Sequence, residues 1–295
     1  MNENFSRSKH RRPLVVRTLP ALKRVVEQWR RRRDVVALVP TMGALHAGHH
    51  ALVRLARRRA SRVAVSIFVN PAQFAANEDL ATYPRAFAAD VAALGTDRAD
   101  LVWAPSVATM YPDGFSTRIF PEGPALAGLE DAFRPHFFSG VATVVAKLLI
   151  QCEPDFAIFG EKDYQQLIVV TRLTRDLGLK TRIVGAPTVR ESDGLALSSR
   201  NRYLTASERA AAPALYRVLL GSAAAITTGK SITNVLARGR AAIEAAGFAV
   251  DYLEARDSIT LAPYGETDSR SLRLLVAARI GKTRLIDNLG AKLPR

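Results

Sequence analysis

Apolar positions along the chain fall into two alternating rhythms. Over residues 19–33, Leu19, Leu22, Val25, Val26 and Trp29 recur at three- and four-residue intervals, the period of a helix with one buried face. The next stretch, DVVALVP at 34–40, is short, β-branched and closed by proline, which reads as a strand buried on both faces. A glycine- and histidine-rich turn follows, then a helix around ALVRLARRR. RVAVSIFVN at 62–70 repeats the buried-strand pattern. The helical stretch DVAALG precedes a third strand, DLVWAP at 100–105, and VATVVAKLLIQ at 141–151 reads as a helix. DFAIFGEKD at 155–163 is a fourth strand, QQLIVVTRLTRDLGL at 165–179 a helix that stops at a glycine, and TRIVGAPTV at 181–189 a fifth strand. Short buried strands alternating with helices predict an α/β fold built on a doubly wound parallel sheet.

After about residue 190 the rhythm changes. SERAAAPALYRVLLGSAAAI and VLARGRAAIEAAG are helical, whereas VDYLEARD and RLLVAARIGKTRLIDN alternate with period two and read as strands. A boundary is expected near 186–192. The organisation predicted is a basic flexible tail over 1–13, a Rossmann-like sheet domain over 14–188, and a smaller C-terminal α+β domain over 189–295 that serves as a lid.

Composition narrows the class. The chain is 48% hydrophobic and 23% charged, ordinary for a globular protein. A single cysteine, Cys152, excludes an intramolecular disulfide and a multi-cysteine metal site. No run approaches the ~18 consecutive apolar residues of a membrane span. The basic start, MNENFSRSKHRRP, has no apolar segment behind it, so a secretory signal is not expected. The expectation is a cytoplasmic protein without membrane association. The net charge of +15 raises nucleic acid as a partner, but residues 1–33 alone carry eleven Lys and Arg against two Glu. The run Arg30 to Arg33 reads as a solvated helix end, and nucleic acid is not the partner expected.

In an open α/β sheet, ligands bind beyond the carboxyl ends of the strands. Four polar clusters fall at such ends: PTMGALHAGHH, NPAQF, GEKDYQQ and RESDGLALSSRNRY. The first is the sharpest. Glycines let backbone approach a ligand closely, and a helix start offers unpaired N–H groups to an anion. His46 and His49, three apart, can share one face of the first turn and donate hydrogen bonds to a phosphate. Zinc is the competing reading, but no HExxH pattern or neighbouring carboxylate completes a site, and no metal-ligating residues are assigned. In Leu195 to Asn201, two hydroxyls and a permanent cation, Ser198, Ser199 and Arg200, suit phosphate oxygens.

The His-Ala-Gly-His segment resembles the H-x-G-H signature of the nucleotidyltransferase superfamily, and LALSSRN its second phosphate-binding motif. PTMGALHAGH, SIFVNPAQF, TYPR, FGEKDYQQL, APTVRESDGLALSSRNRYL, DYLEARD and LLVAARIGKTRLIDN follow the order and spacing of the pantoate–β-alanine ligases, from about residue 14 to 289. The resemblance implies an enzyme that forms pantothenate from pantoate, β-alanine and ATP with Mg²⁺. Its intermediate would be pantoyl adenylate, its by-products pyrophosphate and AMP, and its assembly a homodimer.

It also implies roles. The turn Met42, Gly43, Ala44, Leu45, His46, Ala47, Gly48 and His49 would hold ATP phosphates, with His49 the proton donor. Lys162 would stabilise the reacting phosphates, its competing role being an ion pair with Glu161 or Asp163. Gly160, Glu161 and Asp163 would line the nucleoside site, and Val189 would meet adenine through its backbone. Leu197, Ser198, Ser199 and Arg200 would hold the outer phosphates. Gln73 and Gln166 would bind pantoate, with Asn70, Tyr83 and Arg134 in the same pocket. The chain departs from the family pattern at Ala47 (usually Glu), Leu197 (usually Met) and Phe137 (usually His, with His136 one position early). An acidic cluster tied to the metal and phosphate environment is thinned to Asp90 behind Ala88 and Ala89. A nucleotidyltransferase that releases a nucleotidyl product and a catalytically impaired RNA-binding paralogue are the alternatives.

Overall fold

The computed structural model describes residues 12–294 except 76, 77, 79 and 266–269. Six parallel strands make the central sheet: β1 (Leu14–Val16), β2 (Val36–Thr41), β3 (Arg62–Ile67), β4 (Leu101–Trp103), β5 (Phe156–Gly160) and β6 (Arg182–Ala186), in the order β1-β4-β3-β2-β5-β6. The first is an addition to the five strands expected. It is a three-residue edge strand, Leu14 to Val16 against Leu101 to Trp103, too short to carry a periodic signal. Val36 to Val39 and Val63 to Val65 are all within 1% of complete burial, which is why these strands read as continuous apolar runs rather than alternations.

Among the described residues seven helices accompany the sheet: α1 (Leu19–Arg31), α2 (Ala47–Arg59), α3 (Phe87–Thr96), α4 (Val107–Met110), α5 (Glu130–Phe133), α6 (Phe137–Cys152) and α7 (Tyr164–Asp176). Leu22, Val26 and Trp29 of α1 pack with α6 and α7 on one face of the sheet. Val53 and Ala56 of α2 and Val91 and Leu94 of α3 pack on the other. Several expected boundaries shift. The helix expected at 141–151 begins at Phe137, and the strand expected to reach 163 ends at Gly160, with Glu161–Asp163 a 3₁₀ turn. The last strand stops at Ala186 because Pro187 has no N–H for the ladder. Arg30, expected in solvent, pairs with Asp155 at 3.0 Å.

The C-terminal region holds α8 (Ala206–Ala211), α9 (Ala214–Thr227) and α10 (Ile232–Ala245) over an antiparallel sheet of β7 (Ala249–Asp257), β8 (Ser271–Ile280) and β9 (Thr283–Lys292). The single helix expected at 207–226 is two, divided ahead of Ala214 by Pro213. The stretch Ala206–Thr227 is apolar enough to cross a membrane by length and composition. Here it buries Leu215, Leu219 and Ile226 against Leu274, Val276 and Leu285.

Strand order reverses between β2 and β5, since β3 lies on one side of β2 and β5 on the other. The crevice beyond the carboxyl ends of β2 and β5 is therefore where a ligand fits. The turns leaving these two strands carry His46, His49 and Lys162.

Candidate active site

The turn after β2 is held from below. Gly43 (φ 83°) and Ala44 (φ 51°) both take left-handed backbone. Asp90 of α3, 4% exposed, lies under them, its Oδ2 accepting from Ala44 N and its Oδ1 from Leu45 N, each at 2.9 Å. The expectation for Asp90 was a metal or phosphate environment, and the structure places it beneath this turn. Each oxygen accepts one backbone amide, so the carboxylate holds the shape of the turn that carries the histidines.

The histidines cap α2. His46 Nδ1 accepts from Gly48 N at 3.2 Å, and His49 Nδ1 accepts from His46 N at 3.3 Å. An imidazole nitrogen that accepts carries no proton, so in both rings the proton sits on Nε2. The rings lie 4.1 Å apart, and a Cβ at position 48 would come within 2.9 Å of the His46 ring, which is why glycine stands there. Burial, followed by the charge of Lys162, lowers the His46 pKa to about 4. Burial, followed by the neighbouring His46, lowers His49 to about 3. At neutral pH both imidazoles are neutral Nε2–H donors.

Opposite them, Lys162 leaves the end of β5 with a loose contact to Asp163 at 3.8 Å. Glu161 turns away to Arg273, 3.2 Å. A Cβ at Gly160 would meet no protein atom within 4 Å, so packing does not demand this glycine and its open side is free for a ligand. The two glutamines that open α7 divide their work. Gln165 is buried and bonded to Glu130 N, Pro124 O and Asp131, whereas Gln166 takes no partner among the described residues.

The turn after β3 presents Gln73. Asn70, 1% exposed, donates to Gln73 Oε1 (3.0 Å) and Gly140 O (3.1 Å) and accepts from Ala72 N and the Tyr111 hydroxyl. Its amide is filled by protein, and it orients Gln73. Arg134 is likewise engaged, gripping Glu78 through two bonds, donating to Gln73 O and stacking 3.8 Å above Phe137. Phe137, where the family pattern has histidine, is thus an aromatic shelf for this arginine. Tyr83 packs edge-on against Phe74.

Two adjoining cavities, about 240 and 320 Å³, occupy the crevice. The smaller one is lined by Met42, His46, Gly48, His49 and Gly160, by Asn70, Gln73 and Tyr83, and by Val189, Leu197 and Ser199. Lys162, Asp163, Gln166, Arg134, Ser198 and Arg200 border both. Gly43, Ala44, Leu45, Ala47 and Glu161 lie off these walls. Ser198 caps the 3₁₀ turn Ser199–Tyr203, and Leu197 N bonds Val189 O at 2.9 Å, which ties the serine pair to the segment leaving β6. Among the described residues no three His, Cys, Asp or Glu side chains cluster as metal ligands.

Residues 14–290 match the family Pantoate-beta-alanine ligase. The chain belongs to this family. It is 61% identical over 279 residues to "Pantothenate synthetase 2" of Bradyrhizobium diazoefficiens, covering 95% of this chain and 99% of the relative. It is 60% identical to a pantothenate synthetase of Rhodopseudomonas palustris over 95% of this chain and 99% of the relative. Among solved structures it resembles the pantothenate synthetase of Thermus thermophilus, with TM-score 0.87, 48% identity, and 94% and 98% of the two chains covered. The Francisella tularensis ligase, complexed with β-γ ATP and β-alanine, aligns with TM-score 0.78 and 33% identity over 94% and 97% of the chains. Of the residues that shape this ligase fold's crevice, Asp90, Tyr111 and Asn288 escaped sequence reasoning as supports, because their partners lie 41 to 127 positions away.

Proposed function

We propose that the protein joins pantoate to β-alanine at the expense of ATP. A pantoate carboxylate oxygen attacks the α-phosphorus, the bond to the β-phosphate breaks, and pyrophosphate leaves. The β-alanine amine then attacks the acyl carbon of pantoyl adenylate, AMP leaves, and the amine loses a proton to give pantothenate. The carrying observation is the convergence of two neutral Nε2–H donors, Lys162 and the 198–200 segment on one crevice. An anion must approach a polyanion, so the work is positioning and charge stabilisation.

His46 and His49 donate from Nε2 to phosphate oxygens. With a pKa near 3, His49 is not a standing acid, and it passes a proton only once triphosphate charge has raised its basicity. Lys162 balances charge at the α-phosphate, Ser198, Ser199 and Arg200 hold the outer phosphates, and Gly160, Asp163 and Val189 receive the nucleoside. Gln73, whose oxygen accepts from Asn70 and whose NH₂ donates one hydrogen to Met42 Sδ, meets pantoate with its remaining N–H, and Gln166 offers both donor and acceptor. Magnesium would be carried in on the phosphates, whose oxygens would be its ligands, since no cluster of acidic or imidazole side chains among the described residues is built to hold it. Bound there, the ion supplies charge neutralisation. Family membership supports a cytoplasmic homodimer.

The test is isotope exchange between ATP and pyrophosphate with and without pantoate. Exchange that needs pantoate but not β-alanine is expected. Exchange indifferent to pantoate refutes the reading.

A further inference from the structure

The LIDN segment, Leu285 to Asn288, lies on β9 in the C-terminal region, outside the phosphate-binding turns, yet two of its side chains reach both of them. Asn288, 3% exposed, donates from Nδ2 to Glu161 O (2.9 Å) and Lys162 O (2.8 Å). Its Oδ1 accepts from Arg273 Nε at 2.7 Å, which fixes the amide's orientation. Arg273 in turn bonds Glu161 Oε2 and lies 4.0 Å over the Tyr164 ring. The Lys162 turn is therefore held by its main chain from the other sheet. Adjacent strand residues face opposite ways, and Asp287, 5% exposed, grips Arg190 through bonds of 2.6 and 2.9 Å. Arg190 also donates to Gly194 O and stacks 3.7 Å over Tyr216. It follows Val189, whose carbonyl holds Leu197 at the head of the serine pair.

We propose that Asp287 and Asn288 are positioning residues for adenylate formation, fixing the Lys162 turn and the 189–200 segment relative to each other across the junction between the two sheets. The chemistry suits these types. Two carbonyls need two N–H donors from one side chain, which asparagine supplies, and a guanidinium needs a carboxylate for a two-bond grip. Removing Asn288 leaves the Lys162 turn with only the Arg273–Glu161 pair from the second sheet, and removing Asp287 leaves the 189–200 segment without its charged partner on β9. A shift of about 1 Å in such a group can cost about 100-fold in rate.

This inference rests on the role given to Lys162 above, and the experiment separates the two. Pantoate-dependent ATP–pyrophosphate exchange is measured for the full chain, Asn288→Ala, Asn288→Asp, Lys162→Ala and Lys162→Ala/Asn288→Ala, at high enzyme concentration for the weak variants. Thermal unfolding is followed in parallel. The expected result is a fall in kcat of about tenfold or more in both Asn288 variants, with KM for pantoate within about twofold. In the Lys162→Ala background, Asn288→Ala should add less than about a twofold further loss, since a residue acting through Lys162 has nothing left to act on. Asn288→Asp keeps the shape but faces two carbonyls with a carboxylate, so it guards against a cavity effect in Asn288→Ala. Equal loss in both backgrounds, or full exchange with only a lowered Tm, overturns the proposal. Full exchange by Lys162→Ala overturns the role of Lys162 itself.

Discussion

At the scale of single residues, the site depends on groups whose protonation and orientation are set by the backbone. The His46 and His49 imidazoles titrate near 6.5 in an unfolded chain and near 4 and 3 in the folded one. Between pH 6.5 and 4 the unfolded chain therefore takes up protons that the folded chain does not. The stability from keeping both rings neutral is complete above 6.5 and is lost as pH falls. His49→Gln, which keeps an N–H donor near the Nε2 position, should flatten the decline of unfolding free energy between pH 7 and 5. A slope unchanged from the parent in urea titrations would contradict the buried, neutral ring. Asp90 gives a second prediction. Asp90→Asn turns an NH₂ toward an amide N–H that had an acceptor, so one of two buried bonds is lost, a cost of about 1–3 kcal/mol. The left-handed turn above it loosens, and kcat/KM for ATP should fall about tenfold with KM for pantoate little changed. The histidines, Lys162 and Ser198 were legible because their chemistry lies within a few residues of a strand end. Asp90 was legible only as part of a metal or phosphate environment, since only the fold shows its oxygens turned onto Ala44 N and Leu45 N.

At the scale of elements, the short buried strands were readable because β2 and β3 are covered on both faces, and continuous apolar runs follow from that. β1 was not, since three residues on an edge carry no pattern. Nor was the start of α6, whose approach to the Pro71–Gln73 turn is a tertiary fact. There Gly140 carries a specific demand: an added Cβ would sit 2.2 Å from Ala72 O and 2.7 Å from Gln73 N. Its carbonyl also receives Asn70, so helix, turn and Gln73 move as one body. Gly140→Ala gains the higher helix propensity of alanine, about 1 kcal/mol. It must nevertheless push the turn away, and overpacking of this kind typically costs about 1–3 kcal/mol. The displaced atoms carry Gln73, so KM for pantoate should rise several times more than KM for ATP. Equal changes in the two constants would place Gln73 elsewhere in the reaction.

At the scale of the whole molecule, the junction between the two sheets is polar and well matched. Glu130 of α5, 7% exposed, accepts from Arg284 of β9 through two bonds of 2.8 Å and from the Tyr252 hydroxyl of β7 at 2.8 Å. Arg284 also binds Asp251 at 2.6 Å. Burial, then the Glu130 charge, raises the Tyr252 pKa well above its ordinary value, so the phenol remains a donor. None of this was readable from the sequence, because Glu130 and Arg284 are 154 positions apart and neither stands in a local motif. Removing one partner of a buried charged pair leaves the other unpaired, a loss of about 3–5 kcal/mol, whereas screened surface pairs are worth about 0–1 kcal/mol. Glu130→Ala should therefore destabilise by several kcal/mol, while disrupting the exposed Arg172–Asp176 pair should cost almost nothing. Each sheet has its own apolar core, so loss of the junction should also split a single unfolding transition into two. Fluorescence and far-UV circular dichroism during urea titration would then give non-coincident midpoints for Glu130→Ala and coincident ones for the parent. Coincident midpoints in the variant would mean that apolar contacts across the junction, such as those of Leu129 with Tyr252 and Leu275, couple the two halves without the ion cluster.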